Sequence, residues 1–385
     1  MSKLTMANRI IYLDNAATTK VDPEVLKSYE EVALHHNGNS SSIHQVGMDA
    51  SSLLEKGRNQ VLSLLNVSRT HQCIFTSGAT ESNNLAIKGI AFNYQNRGKH
   101  LITTVIEHPS VLNTFKQLEE LFGFEVTYLK VNEKGKVNPL DLAKALRKDT
   151  ILVSIMAVNN ETGAIQPIEE IADILKDHPK VYFHSDIVQG IGKVDIPFSK
   201  IDLITFTSHK IHGLKGCGCL IKNKSISLTP LNCGGGQEND ERSGTNDVAG
   251  IISFAKALRI TLENQNQWRY HIKNLIQPLV DYLKNNTELY QLNSLPEENP
   301  YIVNFSLKNK KAAVVVEGLS REGIMVSSVS ACHSKGERMS YVIYEMSHDP
   351  NLSHNMIRIS LSKDNTEDDI TQLIKKLDQI VKGIR

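Results

Sequence analysis

From about residue 20 to residue 260, short apolar runs alternate with stretches of helical period, and this alternation constrains the fold most. Strand candidates lie at 73–76, 101–104, 125–129, 151–156, 181–185, 203–207 and 217–221. Several are apolar throughout, as strands buried on both faces are. Amphipathic helix candidates sit between most of them, at 80–95, 109–121, 139–147 and 168–176. Parallel strands need a crossover, and a helix is the usual one. The expected fold is therefore α/β, with a mostly parallel seven-stranded sheet flanked by helices. No clear helix separates 203–207 from 217–221, so one strand of this pair is expected to run antiparallel.

After about residue 246 the texture changes. One long helical stretch runs from Asp247 to about Asn285 and holds the only tryptophan, Trp268. A strand candidate comes next at 301–307, then a helix near 310–322 and a final helix. In the last, Ile370, Leu373, Ile374, Leu377, Ile380, Val381 and Ile384 share one face. Thr366 is placed to cap it. A chain of 385 residues is long enough for two domains. We expect a large one over residues 15–260 and a smaller α+β one from residues 1–14 and 261–385.

Charge narrows the function. Lys plus Arg number 43 and Asp plus Glu 42, so neither nucleic acid nor an anionic membrane is an expected partner. Residues 1–14 have no long apolar core, and the apolar run 151–158 is too short to span a bilayer. The five cysteines, Cys73, Cys217, Cys219, Cys233 and Cys332, are scattered and odd in number. That is no disulfide framework, and it fits a reducing cytoplasmic setting. Cys217-Gly218-Cys219 has half the spacing of a metal site but no second pair, so buried strand cysteines are the better reading and no metal is expected.

Polar residues cluster just after the strand ends. Thr76-Ser77-Gly78-Ala79-Thr80-Glu81 comes after one strand and opens a helix. Such a junction serves equally well as a simple cap or as an anion cradle. Asp186 ends a second apolar strand, where a carboxylate needs a partner. Ser208-His209-Lys210 ends a third. A strand-end lysine is usually just solvated, but in a polar pocket it can take up an aldehyde. An amine, an acid and an anion cradle together match the needs of pyridoxal phosphate (PLP).

Further motifs carry a family resemblance. They are Asp14-Asn15-Ala16-Ala17-Thr18-Thr19, Ser42-Ile43-His44, Glu107-His108, Val158-Asn159-Asn160-Glu161-Thr162-Gly163, Gly234-Gly235-Gly236-Gln237-Glu238, Arg242-Ser243-Gly244-Thr245 and Ser330-Ala331-Cys332. With the strand-end motifs, in this order, the chain resembles the cysteine desulfurases of the NifS/IscS type. These are PLP enzymes of fold-type I in the class V aminotransferase group. The resemblance implies that Lys210 holds PLP, Asp186 pairs with the ring nitrogen, Gln189 bonds the ring hydroxyl and His108 stacks on the ring. It implies a phosphate site of Thr80, Thr207 and His209, with Ala79 in the cofactor set and Thr245 reaching the partner subunit of a homodimer. Asn159 and Arg358 are implied for substrate, and Cys332 as nucleophile with Lys210 and His108 as the other catalytic groups. Ser208, Leu214, Val329 and the run Ile187-Val188-Gln189-Gly190 depart from the usual pattern, but none removes a catalytic side chain.

The expected function is conversion of L-cysteine to L-alanine, with sulfur left on Cys332 for an acceptor protein. That acceptor is an iron–sulfur scaffold or a thiolation enzyme. The competing readings are a class V aminotransferase, a selenocysteine lyase, or a degenerate paralogue serving as a scaffold. Cys332 itself sits in a polar stretch beside His333 and Lys335, a modest case for a reactive thiol, and from the residues alone a surface thiol of no consequence is the better reading. The other four cysteines lie in or beside apolar runs and read as core or packing residues. Residues 331–340 offer few apolar side chains, and we expect them to form a mobile arm.

Overall fold

A computed structural model describes residues 9–328 and 339–383. The chain opens on β1 (Ile11–Tyr12), α1 (Pro23–His35) and α2 (Gln45–Leu64). Strands and helices then alternate through β2 (His71–Thr76), α3 (Ala79–Tyr94), β3 (His100–Thr104), α4 (Pro109–Phe122), β4 (Glu125–Leu129) and α5 (Pro139–Ala145). The alternation continues with β5 (Thr150–Ser154), α6 (Ile168–Leu175), β6 (Tyr182–Asp186), β7 (Leu203–Thr207) and β8 (Gly218–Asn223). Each expected strand of this region is present within a few residues.

These seven strands form one sheet in the order β2-β8-β7-β6-β5-β3-β4. Only β8 runs against its neighbours, pairing antiparallel with both β2 and β7. The antiparallel member of the helix-free pair is thus the second. Local sequence explains the helices. Asp22 caps α1, with Pro23 at its first position. His108 caps α4, Pro109 starts it, and Gly123 ends it at φ 67°. In α6 the buried Ile168, Ile171, Ala172 and Leu175 lie on one face.

α7 (Val248–Asn285) then runs for 38 residues. The rest of the chain contains β9 (Tyr290–Leu292), β10 (Ile302–Leu307), α8 (Ala312–Arg321), β11 (Ile324–Met325) and β12 (Ser327–Ser328). After them come α9 (Tyr341–Ser347), α10 (Pro350–His354), β13 (Met356–Ser360) and α11 (Glu367–Gly383). A second sheet, antiparallel throughout, has the order β12-β13-β10-β9. β1 pairs in parallel with β11.

Two large cores sit at either end of α7. Phe254 and Leu258 pack with Phe183, Ile204 and Phe206 under the large sheet. Leu275, Ile276 and Leu279 pack with Phe305, Ile357 and the N-terminal Leu13. The buried face of α11 is Ile370, Leu373, Leu377 and Val381, as the spacing predicts; Ile384 lies outside the described residues. Thr366 accepts from the Asp369 amide while Asp369 accepts from the Thr366 amide, a reciprocal cap.

Candidate active site

In an open parallel sheet, ligands lie beyond the carboxyl ends of the strands. β2, β6 and β7 are mutually parallel, and their C-terminal residues meet at one cavity of about 720 Å³. Its lining includes residues 77–80, His108, Asp186, Gln189, Thr207, His209 and Lys210. The same cavity is lined by Asp14, Asn160, Glu161, Ser327, Ser328, Tyr341 and Arg358, from the loop beyond β5 and from the chain's N- and C-terminal parts.

The first wall begins at the turn between β2 and α3. Gly78, at φ 155°, precedes α3 without a side-chain cap. The first-turn amides of a helix have no partner within it, so Ala79 and Thr80 present the positive end of a 16-residue helix. Gly218 opens β8 directly beneath; a Cβ there would lie 2.7 Å from the Gly78 backbone. The nearby carboxylate is held off this end. Glu81 accepts from the Ser77 amide at 2.7 Å and from Arg242 Nε at 2.8 Å. Thr207 donates its hydroxyl to the Cys217 carbonyl at 2.9 Å. Burial first, then the charges of Lys210 and Lys215, lower His209 to about 4, so its imidazole is neutral near pH 7.

Asp186, 5% exposed, ends β6. Its Oδ1 accepts from the Val188 amide at 3.0 Å and its Oδ2 from Asn83 at 2.8 Å. Asn83 also donates to Ser110 Oγ, which lies 2.8 Å from His108 Nδ1. A hydrogen-bonded chain thus links the strand-end acid to the histidine. Burial lowers the His108 pKa and Asp186 opposes that shift. Asn83 falls in the polar run that opens α3 without a role of its own read from it, and Ser110 belongs to no motif. The one signal for them in the sequence is their place, one turn into α3 and beside the His108 cap.

Lys210 lies just beyond β7 in a short 3-10 turn. Its Nζ donates to the carbonyls of Ala16 and Ala17, each at 2.6 Å. Burial, then the charge of Arg358, lowers its ammonium to about 8, while Asp14 and Asp186 pull the other way. A minor neutral fraction, about a tenth, is therefore present at pH 7. A poised amine, a buried carboxylate and an uncapped helix N-terminus together fit PLP's aldehyde, ring nitrogen and phosphate.

The second wall differs from expectation in one residue. Arg358, on β13, pairs with Asp14 at 2.7 Å and donates to the Asn160 carbonyl at 2.9 Å, and its Nε has no partner. Asn159, expected at the substrate, is fully buried and does not line the cavity. Its Oδ1 accepts from the Glu161 and Thr162 amides and its Nδ2 donates to the Ile106 carbonyl. That saturates the side chain as a loop brace. Its neighbour Asn160 lines the cavity, with Oδ1 unpartnered. Of the two asparagines, Asn160 and not Asn159 faces the cavity.

Glu161 accepts from Ser340 Oγ at 2.5 Å, and burial raises its carboxyl. Tyr341 donates to the Glu107 carbonyl at 2.5 Å. Cys332, and the expected arm up to residue 338, lie outside the described residues. Ser340 does not fit that arm: it is 1% exposed and caps α9. Thr245 is exposed and away from the cavity lining. Cys73, Cys217 and Cys219 are buried as expected, but Cys233 is exposed, in a glycine-rich loop. No cluster of His, Cys, Asp and Glu among the described residues could hold a metal ion. None of their helices is long and apolar enough to cross a membrane.

Comparison with known proteins bears on the family of the chain. The family model described as Aminotransferase class-V matches residues 11–373. A "NifS/IcsS protein homolog" from Lactobacillus delbrueckii subsp. bulgaricus is 42% identical, covering 96% of this chain and 97% of that protein. "Cysteine desulfurase IscS" from Dictyoglomus turgidum is 38% identical, covering 98% and 96% respectively. A solved structure described as a NifS-like protein superposes with a TM-score of 0.90 at 37% identity, covering 97% of this chain and 99% of that one. The chain therefore belongs to the class V aminotransferase family, in its NifS/IscS-type branch of PLP-dependent enzymes.

Proposed function

We propose that this protein is a cysteine desulfurase, which takes sulfur from L-cysteine onto Cys332 and releases L-alanine. The observation that carries the reading is one cavity with the Lys210 amine on one wall and the Arg358 guanidinium on the other. An amino acid offers the matching pair, a carboxylate for the fork of Arg358 and an α-carbon for chemistry near Lys210. When bound, PLP supplies an electron sink for bonds at that carbon.

The chain's own groups do the rest. Lys210 would hold the cofactor, and Asp186 would keep the ring nitrogen's proton in place. Ala79, Thr80, Thr207 and His209 would take the phosphate, Gln189 would take the ring hydroxyl, and His108 would cover the ring. Arg358 and Asn160 orient the substrate, and Lys210 Nζ moves the proton at its α-carbon, with His108 at hand. Cys332 Sγ attacks the substrate sulfur. An S–S bond forms, the substrate C–S bond breaks, and the carbon keeps the electron pair and takes a proton to become the methyl group of alanine.

We divide the chain into a large domain over residues 15–260 and a small one of 1–14 and 261–385, with α7 as the beam between their cores. We read the enzyme as a homodimer. Leu34, Ile43, Val46 and Met48 are exposed apolar side chains on the α1–α2 face, and Thr245 is exposed where a partner could meet it. The described cysteines are all free, which supports a cytoplasmic setting. The sulfur acceptor is an iron–sulfur scaffold or a thiolation enzyme.

The test is direct. The purified protein should be yellow, and borohydride should fix the cofactor on Lys210. Alanine should form from cysteine without a keto-acid co-substrate, which an aminotransferase would need. Cys332→Ser should bind PLP normally and transfer no sulfur. Label on another lysine, or near-normal turnover by Cys332→Ser, would sink the assignment.

A further inference from the structure

Lys193 stands behind the cavity wall and does not line the cavity. It is partly buried, and its Nζ donates to Gln189 Oε1 at 3.0 Å. Gln189 Nε2 in turn donates to the Ala16 carbonyl at 2.9 Å, the same oxygen that accepts from Lys210. A tight turn brings Lys193 back to Gln189. The Gly190 and Ile191 amides both donate to the Ile187 carbonyl, and the Lys193 amide donates to that of Gly190. Gly192 sits at φ 70°, and a Cβ there would lie 2.2 Å from Thr261 Cγ2 on α7. The turn is therefore fixed by sequence and by packing.

A glutamine amide has two ends of nearly equal shape and opposite hydrogen-bonding sense. Which end faces a site is decided by its other partners. Here the Lys193 amine, lowered to about 7 by burial and then by the charges of Lys210 and Arg358, still has hydrogens to donate in either state and meets Oε1, while a carbonyl, which only accepts, meets Nε2. We propose that Lys193 is a positioning residue that sets the amide of Gln189, so that position 189 presents its NH2 group to the ring hydroxyl of the cofactor. One hydrogen of that group serves Ala16, and the second remains for the hydroxyl oxygen. Without Lys193, Oε1 loses its donor, and the amide is free to turn and present an acceptor instead. The proposal rests on the cofactor reading above and adds to it a residue that touches neither cofactor nor substrate.

The experiment measures PLP binding to apoprotein by absorbance titration, with no turnover involved. Lys193→Met should weaken PLP binding about tenfold and displace the absorption maximum of the bound cofactor. Its apoprotein should melt like that of the parent. Lys193→Arg, which can only donate, should restore both readings. In a Gln189→Leu background, Lys193→Met should add almost nothing. If Lys193→Met does not fold, Lys193→Gln carries the same expectation, since its side chain tolerates either orientation of residue 189. A parent-like dissociation constant and spectrum in the Lys193 variant overturns this proposal alone. So does a loss that persists in full without Gln189. A parent protein that binds no PLP overturns the cofactor reading, and this proposal with it.

Discussion

The two walls of the cavity are built differently. The strand-end wall takes its groups from the ends of neighbouring strands. Thr207 closes one strand, with His209 and Lys210 just beyond it; Asp186 ends another, and Ser77 to Thr80 join a third to its helix. The other wall is assembled from afar: Arg358 meets Asp14 across 344 residues, and Ser340 meets Glu161 across 179. On the proposed reading the first wall would prepare the chemistry of a cofactor, and the second would select and hold the molecule brought to it. A change in the first wall should therefore abolish the reaction, while a change in the second should alter affinity or stability.

The sharpest break of this contrast is Lys210→Ala. Turnover should fall roughly 10⁴-fold, at the upper end for a lost proton-transferring group, and it should not recover at high cysteine. A steady-state titration with cysteine measures this. A modest loss confined to KM would place Lys210 functionally on the wrong wall.

The two adjacent asparagines divide the second wall. Asn159→Ala strands the buried amides of Glu161 and Thr162, so urea unfolding should show a loss of about 3 kcal/mol. Asn160→Ala should stay within about 0.5 kcal/mol of the parent. It should instead raise KM for cysteine about tenfold, which is roughly 1.4 kcal/mol of binding. The reverse pattern would return the substrate role to Asn159.

This pair also shows how far sequence reading reaches. Strand ends are legible because a run of apolar residues has a definite last member, and the residues beyond it must emerge at the sheet edge. Lys210 and Asp186 are found that way, and so is the order of elements around them. The loop at 158–163 has no period, so nothing local says which of two neighbouring asparagines faces inward. The chain from His108 through Ser110 and Asn83 to Asp186 is hidden for a related reason. It closes between α3, α4 and β6, over a separation of 103 residues at its longest step. Cys233 departs from the buried position that its apolar neighbours suggest, because three glycines come directly after it and leave the thiol exposed.

Arg358→Lys gives a smaller effect on the same wall. A lysine keeps the charge and the ion pair with Asp14 but cannot form a two-pronged contact with a carboxylate. KM for cysteine should rise several-fold to about tenfold, with the cofactor spectrum unchanged. An unchanged KM would make Arg358 a structural partner of Asp14 and nothing more.

The smallest effect joins the two walls at a single atom. Lys210 Nζ in the apoprotein titrates at about 8, below the ordinary lysine range, because of burial and then the charge of Arg358. Only the neutral amine attacks an electrophile. Its labelling rate by a small amine reagent, tracked by peptide mapping, should therefore rise with pH to a midpoint near 8. Arg358→Met removes a repelling cation and leaves Asp14 unpaired, and both changes favour the ammonium. The midpoint should move up. Asp186→Asn removes an attracting anion from the other wall, so the midpoint should move down. A small reagent keeps cofactor docking out of the measurement, and His209, neutral above about 4, contributes no charge in this range. Opposite displacements would show that each wall sets the amine through its own charge. Displacement in the same direction, or in neither variant, would mean that burial alone poises Lys210 and that the distant wall has no electrical part in the chemistry.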